Sequence, residues 1–129
     1  MRVALMILLG LVIGIIGTVN VMNALNERNP MPKAVMHTMG YHMGGLTGAI
    51  KANQCDAVKI QHHLSRLDST ATDITAVFGM DDKDFADHAQ QLQNHLQQAL
   101  QAAPATCAAL AVAIKPVNES CKSCHQKYR

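Results

Sequence analysis

The chain has 129 residues, which is enough for one folded domain and no more. Only 3% of the residues are aromatic, Trp is absent and there are eight Met, so the composition favours an all-helical domain over a β-sheet protein. The net charge of +2 with His neutral is too small to argue for a nucleic-acid partner.

The first predicted element is an apolar helix at the N-terminus. Residues 3–25 carry no charged side chain, and as a helix they would span roughly 34 Å, enough to cross a bilayer. A cleaved signal peptide is the alternative, but the Val21-Met22-Asn23-Ala24 run offers no small-x-small cleavage site. We therefore predict that residues 1–25 are a transmembrane anchor or uncleaved signal. The chain after about residue 26 would be exported, with Arg2 left on the cytoplasmic side.

A polar linker follows over residues 26–32, where Pro30 and Pro32 should block helix continuation. Residues 33–129 then show four segments with apolar residues three and four apart, typical of helices packed in a bundle. Short connections predict an antiparallel up-and-down four-helix bundle, with Asp81 or Asp82 capping its third helix. The apolar positions fall within residues 36–50, 60–78, 85–99 and 107–124.

The motif that carries chemistry is Cys121-Lys122-Ser123-Cys124-His125, a C-x-x-C-H sequence typical of c-type haem attachment. Two thiols three residues apart can form thioethers to one haem, and the next residue presents an imidazole to its iron. A redox C-x-x-C normally opens a helix in a β-α-β setting, whereas this motif closes a helix. A zinc site would need two further ligands at matching spacing. We therefore predict one covalent haem c, held by Cys121, Cys124 and His125.

The motif continues to the C-terminus as His125-Gln126-Lys127-Tyr128-Arg129, after four helical segments. Together with the run from Ala34 to Gly40, this resembles the cytochrome c′ family. The resemblance covers about residues 32–129 and implies a four-helix bundle with one covalent haem near its end. Pro32 stands where the family often carries an Arg beside a haem propionate.

The resemblance also places Met36 at the family's distal position, opposite His125. The family fills this position with a Met ligand in electron carriers, or with an uncoordinated residue that shields the iron in members that bind gases. Counting along an up-and-down bundle also brings Met36 near the haem, with Met39 a rival one turn away. His37 or His42 would be a less favoured ligand. We predict that the other histidines, His62, His63, His88 and His95, lie on the solvated surface.

Two further cysteines open the second and fourth bundle helices. Cys55 and Cys107 would share the end of the bundle opposite the haem, where a disulfide would persist in an oxidising compartment. The alternative is two separate thiols packed as small apolar groups.

These observations predict a membrane-anchored cytochrome in the bacterial inner membrane, with its haem domain in the periplasm. Its function would be one-electron transfer to or from a redox partner, itself membrane-bound. The alternative is a five-coordinate haem protein that binds nitric oxide or another small gas. We expect no enzymatic activity, because no distal acid–base pair is evident. The Gly10 and Gly14 pair would allow a homodimer through the anchor.

Overall fold

The computed structural model describes residues 2–26 and 29–129. Within these ranges it contains helices and no strand, which confirms the predicted all-α class. The chain divides into two compact units, Met1–Met31 and Pro32–Arg129. Residues 27 and 28 of the predicted linker lie outside the described part. The helices are α1 (Arg2–Asn26), α2 (Met31–Lys51), α3 (Ala57–Ala71), α4 (Ile74–Phe78), α5 (Lys83–Gln101) and α6 (Cys107–Tyr128).

The first unit contains α1. The stretch Met6–Leu25 has a mean hydropathy of 2.0, and none of this stretch is buried. By length and composition this helix can cross a membrane, and a signal sequence has the same two properties.

In the second unit, α2, α3, α5 and α6 bury one apolar stripe each, as the three-and-four spacing predicts. Leu46, Leu64, Leu96 and Leu110, one from each helix, are at most 1% exposed and form the centre of the core. Burying each such side chain contributes roughly 1.5–3 kcal/mol to folding. A single apolar core therefore holds the four helices together.

Two helix boundaries differ from the prediction. The expected helix over residues 60–78 is interrupted at Thr72 and Asp73, so that the short α4 follows α3. Helix α2 begins at Met31, inside the predicted linker, so Pro32 lies in its first turn. A first-turn proline is tolerated because its missing N–H has no intrahelical partner there.

Capping residues set the ends of the elements that build the site. Gly79 ends α4 with a left-handed conformation, φ 57°, which glycine adopts at little steric cost. The carboxylate of Asp82 then accepts a hydrogen bond from the backbone N–H of Asp84 at 2.8 Å and so caps α5. Helix α6 runs through Pro116 to Tyr128 and brings its last turn to the beginning of α5.

Candidate functional site

An apolar cleft of about 170 Å³ lies at one end of the bundle. Met36, Met39 and Met43 line it from α2. Cys121, Cys124 and His125 line it from the last turns of α6. The structure therefore brings the C-x-x-C-H motif and the methionine stripe of α2 to one cavity.

The remaining walls come from the end of the α3–α4 segment and the beginning of α5. Leu67 and Ile74 contribute the first of these walls, and His88, Ala89 and Leu92 contribute the second. Beginnings of α2 and α5 thus meet ends of α3 and α6 at this cleft, which is the arrangement of an up-and-down bundle. These apolar walls suit contact with the flat, largely apolar macrocycle of a haem.

Local helix geometry explains why the motif faces one way. Residues three and four apart share a helix face, so Cys121, Cys124 and His125 all reach the cleft. Both cysteines are free thiols and partly buried. Burial raises the pKa of the Cys121 thiol, with a further rise from the neighbouring Cys124, and burial also raises the pKa of Cys124. Both side chains are therefore protonated thiols at neutral pH, and His125 stays exposed at the rim.

Contacts between α5 and α6 fix the end of the motif helix. The Tyr128 hydroxyl donates a hydrogen bond to the Asp82 carboxylate at 2.9 Å, and the Lys127 ammonium contacts the Asp84 carboxylate. The Tyr128 ring also packs edge-on against the Phe85 ring, with centroids 5.2 Å apart. The hydrogen bond from Tyr128 lowers the pKa of Asp82. These contacts hold the last turn of α6 against α5, on the side where His125 enters the cleft.

Comparison with known proteins agrees with the site. The family model described as Cytochrome C' matches residues 80–129, which include α5, α6 and the whole C-x-x-C-H motif. Residues 80–129 are thus similar to the cytochrome c′ family. No curated protein and no solved structure matches the chain. Similarity to this family implies a covalently bound haem c, and two adjacent free thiols at an apolar cleft fit that group.

Three histidines of the bundle lie elsewhere than predicted. His63, His88 and His95 are partly buried, so the prediction that they lie on the solvated surface was wrong. His88 lines the apolar cleft from α5, and its Nε2 lies 3.8 Å from the Asp84 carboxylate. His95 shares a hydrogen bond of 2.8 Å with the buried Ser120 hydroxyl, directly before Cys121. His62 is exposed, as predicted.

The two candidate histidine ligands on α2 differ in burial, and neither lines the cleft. His37 is exposed and does not line the cleft. His42 is buried, but its Nδ1 lies 2.9 Å from Nδ1 of His63 on α3, away from the cleft lining. The apolar cleft is therefore lined by methionines of α2 and not by the histidines of α2.

At the other end of the bundle, Cys55 and Cys107 form a disulfide, with Cα atoms 5.2 Å apart. It joins the residue before the Asp56 cap of α3 to the first residue of α6. All four cysteines of the chain therefore divide into one disulfide and the pair of free thiols in the C-x-x-C-H motif.

Proposed function

We propose that this protein is a membrane-anchored cytochrome that carries one covalent haem and transfers single electrons on the periplasmic side. The observation that carries the proposal is the cleft itself, which has methionine sulfurs on its α2 wall and the C-x-x-C-H motif on its α6 wall. A His/Met pair of axial ligands is typical of electron-transferring c-type cytochromes.

Each residue of the motif has a distinct role. Cys121 and Cys124 would hold the haem through thioether bonds, and His125 would be the proximal iron ligand. Haem, when bound, supplies a one-electron ferric/ferrous couple. Leu67, Ile74 and Leu92 line the cleft and would exclude water from the face of the bound group. The contacts of Lys127 and Tyr128 with α5 hold His125 in register with the cleft.

Met36 is our proposed distal ligand, or distal shield if it does not bind iron. It is partly buried, lines the cleft and lies on the same helix face as Met39 and Met43. Coordination by Met36 favours electron transfer. An uncoordinated Met36 favours the second candidate function, the binding of nitric oxide or another small gas, because the iron would then keep an open position.

The optical spectrum of the purified holoprotein separates the two functions. We expect a low-spin spectrum that does not respond to carbon monoxide in either oxidation state. Met36→Ala should convert it to high spin with ready carbon monoxide binding, and Met39→Ala and Met43→Ala are the matched variants on the same wall. A high-spin spectrum in the unaltered protein would overturn ligation by Met36 and make gas binding the leading function.

The electron partner would be a protein, itself in the membrane, and Lys122 is the exposed cation closest to the haem attachment site in sequence. Lys127 is less suited to partner docking because it already pairs with Asp84. We expect Lys122→Glu to slow electron exchange with native membranes at low salt, while Lys115→Glu on the same helix leaves it unchanged. Equal rates in both variants would contradict docking through Lys122.

The length and apolar composition of α1 support a location of this function at the inner membrane. We expect the full-length protein to stay in the membrane fraction after alkaline extraction, with an intact N-terminus by mass spectrometry. Release of a shortened chain would identify residues 1–25 as a cleaved signal.

A further inference from the structure

A second cluster of metal-ligating side chains lies outside the haem cleft, between α2 and α3. His42 of α2 is 7% exposed, and its ring faces His63 of α3 with 2.9 Å between the two Nδ1 atoms. Their ring centroids lie 5.2 Å apart. The adjacent His62 has its ring centroid 6.0 Å from His42 and 5.7 Å from His63.

The distance of 2.9 Å between the two Nδ1 atoms matches the distance expected between two nitrogen ligands of one metal ion. With metal–nitrogen bonds of about 2.0–2.1 Å, two imidazoles at right angles on a shared ion are separated by about 2.9 Å. Right-angled nitrogen ligands are characteristic of tetragonal Cu(II). Burial lowers the pKa of both rings, so at neutral pH they are in the uncharged form that ligates metals.

The sequence allows this close approach through a glycine. A Cβ atom at Gly45 would meet His63 Cε1 at 2.7 Å and Nε2 at 2.8 Å, so the ring of His63 occupies the space that a larger residue would fill. A cavity of about 70 Å³ borders Gly45 and His63. Among the described residues no preformed group of three ligating side chains exists. The two histidines would therefore bind a metal ion together with solvent, or together with the His62 ring after it turns.

We propose that His42 and His63 form a binding site for a divalent transition-metal ion of the copper(II) type, separate from the haem. The ion replaces the hydrogen bond between the two Nδ1 atoms. The ring that carried its proton on Nδ1 takes the Nε2–H tautomer, so both Nδ1 lone pairs face the metal and no net proton is released. The exposed His62 supplies a third nitrogen after rotation of its side chain. Arg66 lies near enough to act electrostatically on His42, so its positive charge opposes binding of the metal ion.

The test is calorimetric titration of ferric, full-length holoprotein in detergent with Cu(II), using an affinity tag that lacks histidine. We expect one ion per chain, with nitrogen hyperfine structure in its electron paramagnetic resonance spectrum. Zn(II) is the comparison ion and should bind more weakly at a right-angled pair. Absence of stoichiometric Cu(II) binding, or Cu(II) signals without nitrogen ligands, would overturn the proposal.

Gly45→Ala is the decisive variant because it keeps every histidine and improves helix propensity, yet displaces the His63 ring. We expect it to weaken Cu(II) binding about tenfold to a hundredfold, as loss of a positioning contact typically does. Gly44→Ala is its control, since a Cβ there meets nothing within 4 Å. Equal affinity in the two glycine variants would refute a site at this pair.

Two histidine variants complete the test. His63→Gln should abolish binding, and His37→Gln on the exposed face of α2 should leave it unchanged. As a control, circular dichroism and the haem spectrum should show that the His63→Gln variant is folded. Loss of Cu(II) binding in His37→Gln instead of His63→Gln would assign the ion to the surface and contradict the proposal.

Discussion

The disulfide between Cys55 and Cys107 allows a quantitative prediction for the stability of the bundle. Its two cysteines are 52 residues apart in sequence, so the bond removes a long closed loop from the freedom of the unfolded chain. The loop-entropy relation gives about 4 kcal/mol of stabilisation at 25 °C for this separation. We expect the Cys55→Ala/Cys107→Ala double variant to lose about this free energy of unfolding. On a bundle of this size the loss corresponds to a fall of roughly 15–20 °C in Tm.

The assay is guanidinium unfolding of the holoprotein in detergent, followed by the haem spectrum and by circular dichroism. Dithiothreitol supplies an independent arm because it reduces the disulfide but does not cleave thioethers. Treated wild-type protein should unfold like the double variant, and the double variant should not respond to the reductant. A loss below about 1 kcal/mol would refute the reasoning, because it would mean that the unfolded chain is already compact between the two positions.

Three further predictions concern the bundle. The folded-state pKa of His42 and His63 is lowered from 6.5, so between that folded value and 6.5 the unfolded chain binds more protons than the folded one. With chelator present, the unfolding free energy should therefore fall as the pH drops below about 6.5 and become constant below the folded pKa. In His63→Gln the slope of the unfolding free energy against pH should be smaller. An unchanged slope would contradict the attribution of this pH dependence to His42 and His63. Leu110→Ala should cost about 3–5 kcal/mol in chemical unfolding because Leu110 is 0% exposed, whereas Val112→Ala, at 75% exposed in the same helix, should cost less than about 0.5 kcal/mol. Thr106→Ala removes the side-chain oxygen that accepts from the Ala109 N–H at 3.2 Å, and should cost about 1 kcal/mol in the same assay; no change would show that water replaces the cap.

The convergence of the C-x-x-C-H residues on the cleft could be predicted from sequence, because it depends only on the geometry of a single helix. Residues three and four apart on one helix must share a face, so Cys121, Cys124 and His125 converge wherever α6 lies. For the methionines of α2, the sequence predicts that they share one helix face but does not specify their individual positions in the cleft. Met36, Met39 and Met43 fall on one stripe, and all three line the cleft. Which of them reaches the iron depends on the depth at which α2 packs, and helix periodicity does not specify that depth.

The histidines show where the prediction failed and which signal was overlooked. His63 lies three residues after the buried Ile60 and four before the buried Leu67, which places it at the edge of the apolar stripe. Four histidines have this spacing and none of them is exposed; they are His42, His63, His88 and His95. His37 and His62 lack it and are exposed. A histidine with stripe residues three before and four after it was therefore a predictable contact residue.

The position of Cys107 on the same helix as the haem-attachment motif has a consequence for maturation. Cys121 lies fourteen positions after Cys107 in α6, which sets the two residues roughly 21 Å apart along the axis once the helix has formed. In an unfolded chain under oxidising conditions, any of the four thiols can pair with any other. In the folded chain Cys107 is paired with Cys55, and burial keeps Cys121 and Cys124 in the slow-reacting thiol form. The fixed spacing along α6 would therefore leave two thiols free for the haem that we propose.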